Sequence, residues 1–185
     1  PERDRLWEIV EEYEATQLYT APTAIRAFMK WGEEFPNSHD LSSLRLLGTV
    51  GEPINPRAWK WYYKHIGDES CPIVDTWWQT ETGGMMVTTL PGIKEMKPGS
   101  AGPALPGVDA EILDTNGDQI EAGRAGYLTI QKPWPGMLRT LYQNDERFID
   151  EYWREYSDTD SDDPEDWVYF PEDGAKIDED GYITV

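Results

Sequence analysis

Residues 44–61 read LRLLGTVGEPINPRAWKW, and the order of signals in this stretch decides the fold class. Leu44 to Val50 is a short apolar run stopped by Gly51, which predicts a buried strand. Asn55 followed by Pro56 is a helix start, with the Asn side chain as cap and Pro in the first helical position, where its missing N–H costs nothing. The helix carries Trp59, Trp61, Tyr62 and Tyr63 and is expected to end near Gly67.

The same alternation extends outward. Leu6, Ile9, Val10 and Tyr13 recur at helical spacing, Gln17–Thr20 reads as a short strand, and Pro22 opens a helix with Ile25, Phe28 and Met29 on one face. Downstream, Pro72 to Trp77 is a further strand. Helix, strand, helix, strand, helix, strand argues for a parallel sheet with right-handed crossovers, and ligands of such sheets bind beyond the strands' carboxyl ends. Three segments follow those ends: Thr20-Ala21-Pro22-Thr23, Gly51-Glu52-Pro53 and Gln79-Thr80-Glu81-Thr82-Gly83-Gly84. They are expected to converge at one edge of the sheet.

After Pro91 the character changes. Glycines and prolines punctuate a loop, Val108–Leu113 alternates, Asn116-Gly117 is the best hairpin signal, and Gly126–Ile130 reads as a strand. Asp145–Tyr156 fits a helix, Trp167–Phe170 a strand, and Asp178–Gly181 a turn. The expected organisation is therefore α/β: part of a parallel-sheet subdomain over residues 1–92, then a β-rich subdomain over 93–185.

The 185 residues carry 16 basic and 36 acidic side chains, a formal charge of -20. Such a surface repels nucleic acid and anionic membranes. The acids are densest in DTDSDDPEDW, residues 158–167, which lacks the glycine and terminal glutamate of a calcium loop and reads better as a solvated, salt-adapted surface or a mobile acidic loop than as a cation site. Cys71 alone permits no internal disulfide and fits a reducing, cytoplasmic setting; before Pro72 it reads as a small buried hydrophobe. Neither GxxxxGK[ST], GxGxxG nor GxSxG occurs, and one Cys with His39 and His65 makes no zinc spacing.

Chemistry concentrates at two strand ends. Gly51-Glu52-Pro53 reads either as a plain strand-to-helix connection, with Glu52 near the helix start, or as a place where backbone approaches a ligand closely. Residues 75–84, DTWWQTETGG, put two indoles beside hydroxyls, an amide and a carboxylate. If the strand continues, Trp77 and Trp78 point to opposite faces, one toward the core and one free to wall a cavity. Glu81 is a carboxylate able to hold Mg²⁺. A polar loop with an aromatic plug is the competing reading.

With these residues in view, the chain resembles the adenylate-forming acyl-CoA synthetases, and within them the AMP-forming acetate–CoA ligases. The resemblance runs through YTAPTAIRAF (19–28), LLGTVGEPINPRAW (46–59), VDTWWQTETGG (74–84), GSAGPALPG (99–107) and EDGAKIDEDGY (172–182). It implies a β-rich half that is barrel-like, and a two-step reaction. Acetate and ATP give acetyl-adenylate and pyrophosphate; coenzyme A then displaces AMP to form acetyl-CoA. It also implies roles. Gly51, Glu52 and Pro53 line the adenine pocket, and Asp75, Thr76, Trp77, Trp78, Gln79 and Thr80 continue the nucleotide site. Thr80 contacts the α-phosphate or the acyl carboxylate, Glu81 contacts Mg²⁺, and Asp173 accepts from the ribose hydroxyls. Val50 and Trp78 wall the acyl pocket.

The family's Ser/Thr/Gly-rich phosphate loop and lysine-bearing carboxyl-terminal domain have no counterpart in these residues. Pro1 in place of a methionine, and a last residue inside a strand-like run, raise the expectation of a piece of a longer protein, inactive without the rest of its own polypeptide. Two rival readings remain: a propionyl-CoA or other short-chain acyl-CoA synthetase, and a truncated, non-catalytic nucleotide-binding module.

Overall fold

In the computed structural model, residues 2–185 are described, and the chain divides into two compact units. The first comprises Pro1–Thr76 and Thr88–Ala101, the second Trp77–Val87 and Gly102–Val185. The chain leaves the first unit at the end of one strand and returns within the next.

The first unit is built from α1 (Arg5–Glu12), β1 (Gln17–Thr20), α2 (Pro22–Trp31), the single-turn α3 (Glu34–Asn37), β2 (Leu46–Val50), α4 (Pro56–His65) and β3 (Ile73–Trp77), with the short β4 (Val87–Thr88) following. The sheet order is β1-β2-β3-β4, and β2 runs parallel to both β1 and β3. The expected alternation is thus realised, with α3 as a turn that no periodicity announced. The two predicted helix starts also hold. Asn55 Oδ1 accepts from the Ala58 amide at 2.9 Å, while Pro56 and Pro22 each open a helix.

Leu18, Leu47 and Ile73 stand side by side in register and enter one core with Val10, Ile25, Ala58, Trp59 and Tyr62. Tyr62 reaches across this core to donate its hydroxyl to the Leu18 carbonyl (3.0 Å), so its polar end is satisfied where it is buried. Cys71 is buried, its Sγ 3.1 Å from the Leu44 carbonyl, and burial pushes its thiol pKa up, as befits an inert core residue. α1 departs from expectation. Its buried residues are Trp7 and Val10, while Ile9 and Tyr13 are 41% and 70% exposed. The indole has more apolar area to remove from water than either, and its position sets the helix rotation.

In the second unit β5 (Ala110–Leu113), β6 (Ala125–Ile130), β7 (Gly174–Ile177) and β8 (Ile183–Thr184) pair antiparallel in that order, and α5 (Asp145–Tyr152) lies between β6 and β7 in sequence. β5 and β8 are the two ends of this order. The sheet is therefore open, and the barrel expected from the resemblance is not closed among the described residues. The Asn116-Gly117 turn brings the chain back for one bridge, Leu113 to Gln119, and the partner strand of β5 forms only afterwards, at β6.

The strand expected at Trp167–Phe170 is a single bridge, with Tyr169 and Ile130 exchanging both backbone hydrogen bonds. It stops there because the Phe170 amide turns to the Tyr152 carbonyl (2.8 Å) and Pro171 has no N–H to offer. The helix expected to reach Tyr156 ends at Tyr152. The acidic run 158–167 is exposed through all six of its Asp and Glu residues. It is pinned by Trp167 Nε1 donating to the Ser161 carbonyl (3.0 Å) and by Asp163 capping a 3₁₀ turn at Pro164–Asp166.

Leu47 has no exposed surface at the centre of the first unit's core. Leu47→Ala is expected to cost about 2–5 kcal/mol, whereas Ile9→Ala should stay within about 1 kcal/mol, both read from urea unfolding.

Candidate functional site

In the first unit two of the three segments beyond the strand ends meet. Thr23, at the start of α2, donates its backbone N–H to Glu52 Oε1 (2.8 Å) and its hydroxyl to the same carboxylate. Arg26 Nη2, one turn on, donates to Glu52 Oε2 (2.8 Å) and to the Thr23 hydroxyl (2.7 Å). Glu52 therefore sits at the start of α2, not of the helix that follows it in sequence. The Arg26 guanidinium, then Thr23, hold its carboxyl below the usual carboxylate range. Gly51 makes the preceding bend with φ 90°, a conformation in which other residues are strained. Pro53 is exposed beside it, and Val50, half-buried, is the last residue of β2.

Behind this edge lies a buried polar ladder. Thr49 and Asp75 are register partners, and Thr49 Oγ1 donates to Asp75 Oδ1 at 2.6 Å. Both are buried; burial pushes the Asp75 carboxyl up to about 6, and the Thr49 hydroxyl only partly opposes this. On the other face of β3 the Thr76 hydroxyl donates to the Thr49 carbonyl (3.0 Å). Its one proton is thereby spent, so Tyr19 is the donor in the 2.5 Å contact between the two hydroxyls.

In the second unit the two indoles at the end of β3 divide into one buried and one exposed, as expected. Trp77 is 8% exposed and Trp78 40%. Trp77 Nε1 donates to Asp173 Oδ2 at 2.8 Å, and Gln79 Nε2 donates to the same oxygen at 3.1 Å and to the Pro171 carbonyl at 3.3 Å. Residues 96 and 94 positions apart in sequence thus meet on one carboxylate oxygen. Asp173 is delivered by an irregular approach to β7. Glu172 is left-handed (φ 63°), and the Asp173 carbonyl accepts from the Leu128 amide (2.9 Å) just before regular pairing begins.

Thr80 is exposed, and its carbonyl faces the Gly83 amide at 3.4 Å. Thr82 is buried and works for the loop itself: its hydroxyl accepts from the Gln79 amide (3.0 Å) and lies 2.7 Å from the Gly84 carbonyl. Gly83 (φ 70°) passes so close to the Gly136 carbonyl that a Cβ would stand 1.9 Å from its oxygen, so no other residue fits. Glu81 Oε1 accepts from the Tyr152 hydroxyl at 2.9 Å. Tyr169, which has no exposed surface, donates its hydroxyl to Gln79 Oε1 at 2.6 Å. The sequence reading missed both tyrosines as site residues, because an isolated Tyr within an aromatic-rich stretch carries no spacing signal.

The model of the family described as AMP-binding enzyme matches residues 1–142. The chain belongs to the AMP-binding enzyme family. Over its whole length the chain is 59% identical to the acetyl-coenzyme A synthetase of Rubrobacter xylanophilus and 56% identical to that of Gemmatimonas aurantiaca, covering 27% of each. It spans about a quarter of the length of the curated relatives it matches. Among solved structures, the anthranilate CoA ligase AuaEII, crystallised with anthranoyl-AMP, superposes with a TM-score of 0.79 over 98% of this chain and 31% of that one. At 23% identity that likeness shows the fold.

The raised Asp75 pKa gives this chain a pH signature. An aspartate whose pKa rises from 3.8 unfolded to about 6 folded costs stability as pH climbs through that window. Asp75→Asn keeps an oxygen for Thr49 and loses the penalty. Its stability relative to the parent chain should improve by about 1 kcal/mol between roughly pH 5 and pH 7.5. Urea unfolding at the two pH values reads this, and a pH-independent difference would refute the raised pKa.

Proposed function

We propose that this chain is part of an AMP-forming acetate–CoA ligase. The observation that carries the reading is the match, end to end and above 50% identity, to acetyl-coenzyme A synthetases from several bacteria. In the first step an acetate oxygen attacks the α-phosphorus of ATP, the α–β bridging bond breaks, and pyrophosphate leaves. In the second, the sulfur of coenzyme A attacks the acetyl carbonyl, AMP leaves with the bond electrons, and the thiol proton goes to solvent. Neither step needs a protein nucleophile; both need positioning and a site complementary to phosphate charge.

The residues fit that demand. In the first unit, Gly51, Glu52 and Pro53 line adenine, with the Thr23–Arg26 clamp holding Glu52 in place. Asp75 and Thr76 support the strand from which the nucleotide loop departs, and Val50 is a wall for the acyl group. In the second unit Trp77, Gln79 and Thr80 are nucleotide contacts. Asp173 has one oxygen taken by two N–H donors and presents its other oxygen to the ribose hydroxyls. Thr80, being exposed, is free to meet the α-phosphate or the acyl carboxylate, and Trp78 offers a half-exposed indole against which an acyl group can pack.

Among the described residues no three His, Cys, Asp or Glu side chains gather into a metal cage. Glu81 is a carboxylate with one oxygen hydrogen-bonded to Tyr152. That suits Mg²⁺, which is typically held by one or two carboxylates together with substrate phosphates and water. The ion would supply neutralisation of phosphate charge, needed all the more in a chain of formal charge -20.

Two measurements test this reading. The full-length protein should release AMP only when acetate, ATP, Mg²⁺ and coenzyme A are all present, and the 185 residues alone should release none. Acetate-independent AMP release would refute the reading, and turnover by the 185 residues would refute only their dependence on the rest of the polypeptide. Trp78→Gly in the full-length protein should extend its use of acids from two or three carbons to four to six, because the indole's volume excludes them at a cost of about 1–3 kcal/mol. An unchanged acid preference would remove Trp78 from the pocket.

A further inference from the structure

We propose that Tyr152 and Tyr169 are a stacked pair of positioning residues that sets the orientation of Gln79 and Glu81, and through them the selection of ribose and of the metal–phosphate group. The inference rests on the nucleotide reading above and adds two residues to it.

The rings lie 5.8 Å apart at 16°, one at the end of α5 and the other on the bridge to β6. Each phenol donates to a different candidate site residue: Tyr169 to Gln79 Oε1 at 2.6 Å, and Tyr152 to Glu81 Oε1 at 2.9 Å. The first bond completes a binary choice that two acceptor-only groups impose. A primary amide fits its cavity in two orientations, exchanging a donor for an acceptor. With its NH₂ donating to Asp173 Oδ2 and the Pro171 carbonyl, the amide turns its oxygen to the Tyr169 hydroxyl, which holds it there. Reversed, it would set oxygen against a carboxylate and a carbonyl. The correct orientation also fixes which Asp173 oxygen stays open, because Trp77 and Gln79 both occupy Oδ2.

The pair is itself held in place. Trp134 packs edge-on against Tyr169 with centroids 5.2 Å apart and ties its own Nε1 to the Thr82 carbonyl at 2.8 Å. Trp153 meets Tyr169 edge-on from another side at 5.6 Å. Burial raises the pKa of both phenols, and Glu81 raises them further, so each stays a hydrogen-bond donor at neutral pH. Mutating one ring should thus be felt at the other's partner, since the two share a face.

The test uses the full-length protein with Tyr169→Phe, Tyr152→Phe and the double variant, each of which keeps the ring. Tyr169→Phe should lower the preference for ATP over 2′-deoxyATP, as a ratio of kcat/KM, about five- to tenfold, and leave the KM for acetate unchanged. Tyr152→Phe should raise the Mg²⁺ concentration for half-maximal rate several-fold with the same acetate KM. A reading independent of turnover is hydrogen exchange of the Gln79 side-chain amide by NMR. It should be slow in the wild type and at least tenfold faster in Tyr169→Phe.

If the wild type proves inactive on acetate while the amide exchange responds as stated, the pair stands and the function falls. If the wild type is active and neither the nucleotide ratio nor the exchange rate moves, the pair falls. An equal change in all KM values would likewise overturn it, as the mark of general loosening. Should Tyr169→Phe not fold, Gln79→Leu replaces it, and retention of full ATP preference by that variant overturns the proposal.

Discussion

The parallel register of β2 between β1 and β3 is the constraint on which the first unit depends. Because side chains alternate along a strand, pairing Leu47 with Leu18 and Ile73 puts three apolar residues in line and also obliges Thr49 to face Asp75. A slip of one residue would turn Leu47 out of the core and break the Thr49–Asp75 bond together. Core and polar ladder therefore support a single register, and that register sends Gly51-Glu52-Pro53 off the strand toward the start of α2.

In the second unit the corresponding role falls to Asp173. One carboxylate oxygen gathers Trp77 and Gln79 from a segment more than ninety residues earlier, and Gln79 brings Tyr169 with it. The indole's burial, the amide's orientation and the end of the β7 ladder are then consequences of one acceptor. An acidic chain uses most of its carboxylates as solvated surface, as along 158–167. Asp173 and Asp75 differ because specific donors meet them. Asp75 is in addition buried enough to shift its titration.

Much of this was legible in residue order. Asn55-Pro56 and Pro22 announced their helices because capping and a fixed φ are local physics, and the Trp77/Trp78 division followed from the twofold alternation of a strand. The meeting of Glu52 with Thr23 was foreseeable as a consequence of parallel topology, though its partner Arg26 was not. What stayed hidden depended on contacts distant in sequence. The strand read at Trp167–Phe170 failed because Phe170's amide found Tyr152. The rotation of α1 was set by which ring the core could bury. Tyr152 and Tyr169 looked like two more aromatics in an aromatic-rich stretch. The β-rich half is an open sheet among the described residues, and no local signal tells whether the edges of a barrel-like sheet meet.

Glu172 has a consequence of a different kind. It holds a left-handed backbone immediately before Asp173, a conformation that glycine adopts freely and glutamate adopts at a cost of about 1 kcal/mol or more. Both glutamate codons become glycine codons by one substitution at the second base. Relief of the strain is therefore a single mutational step away, with no side-chain contact to rebuild. In a randomly mutagenised library screened for thermal tolerance, this position should be among the early winners.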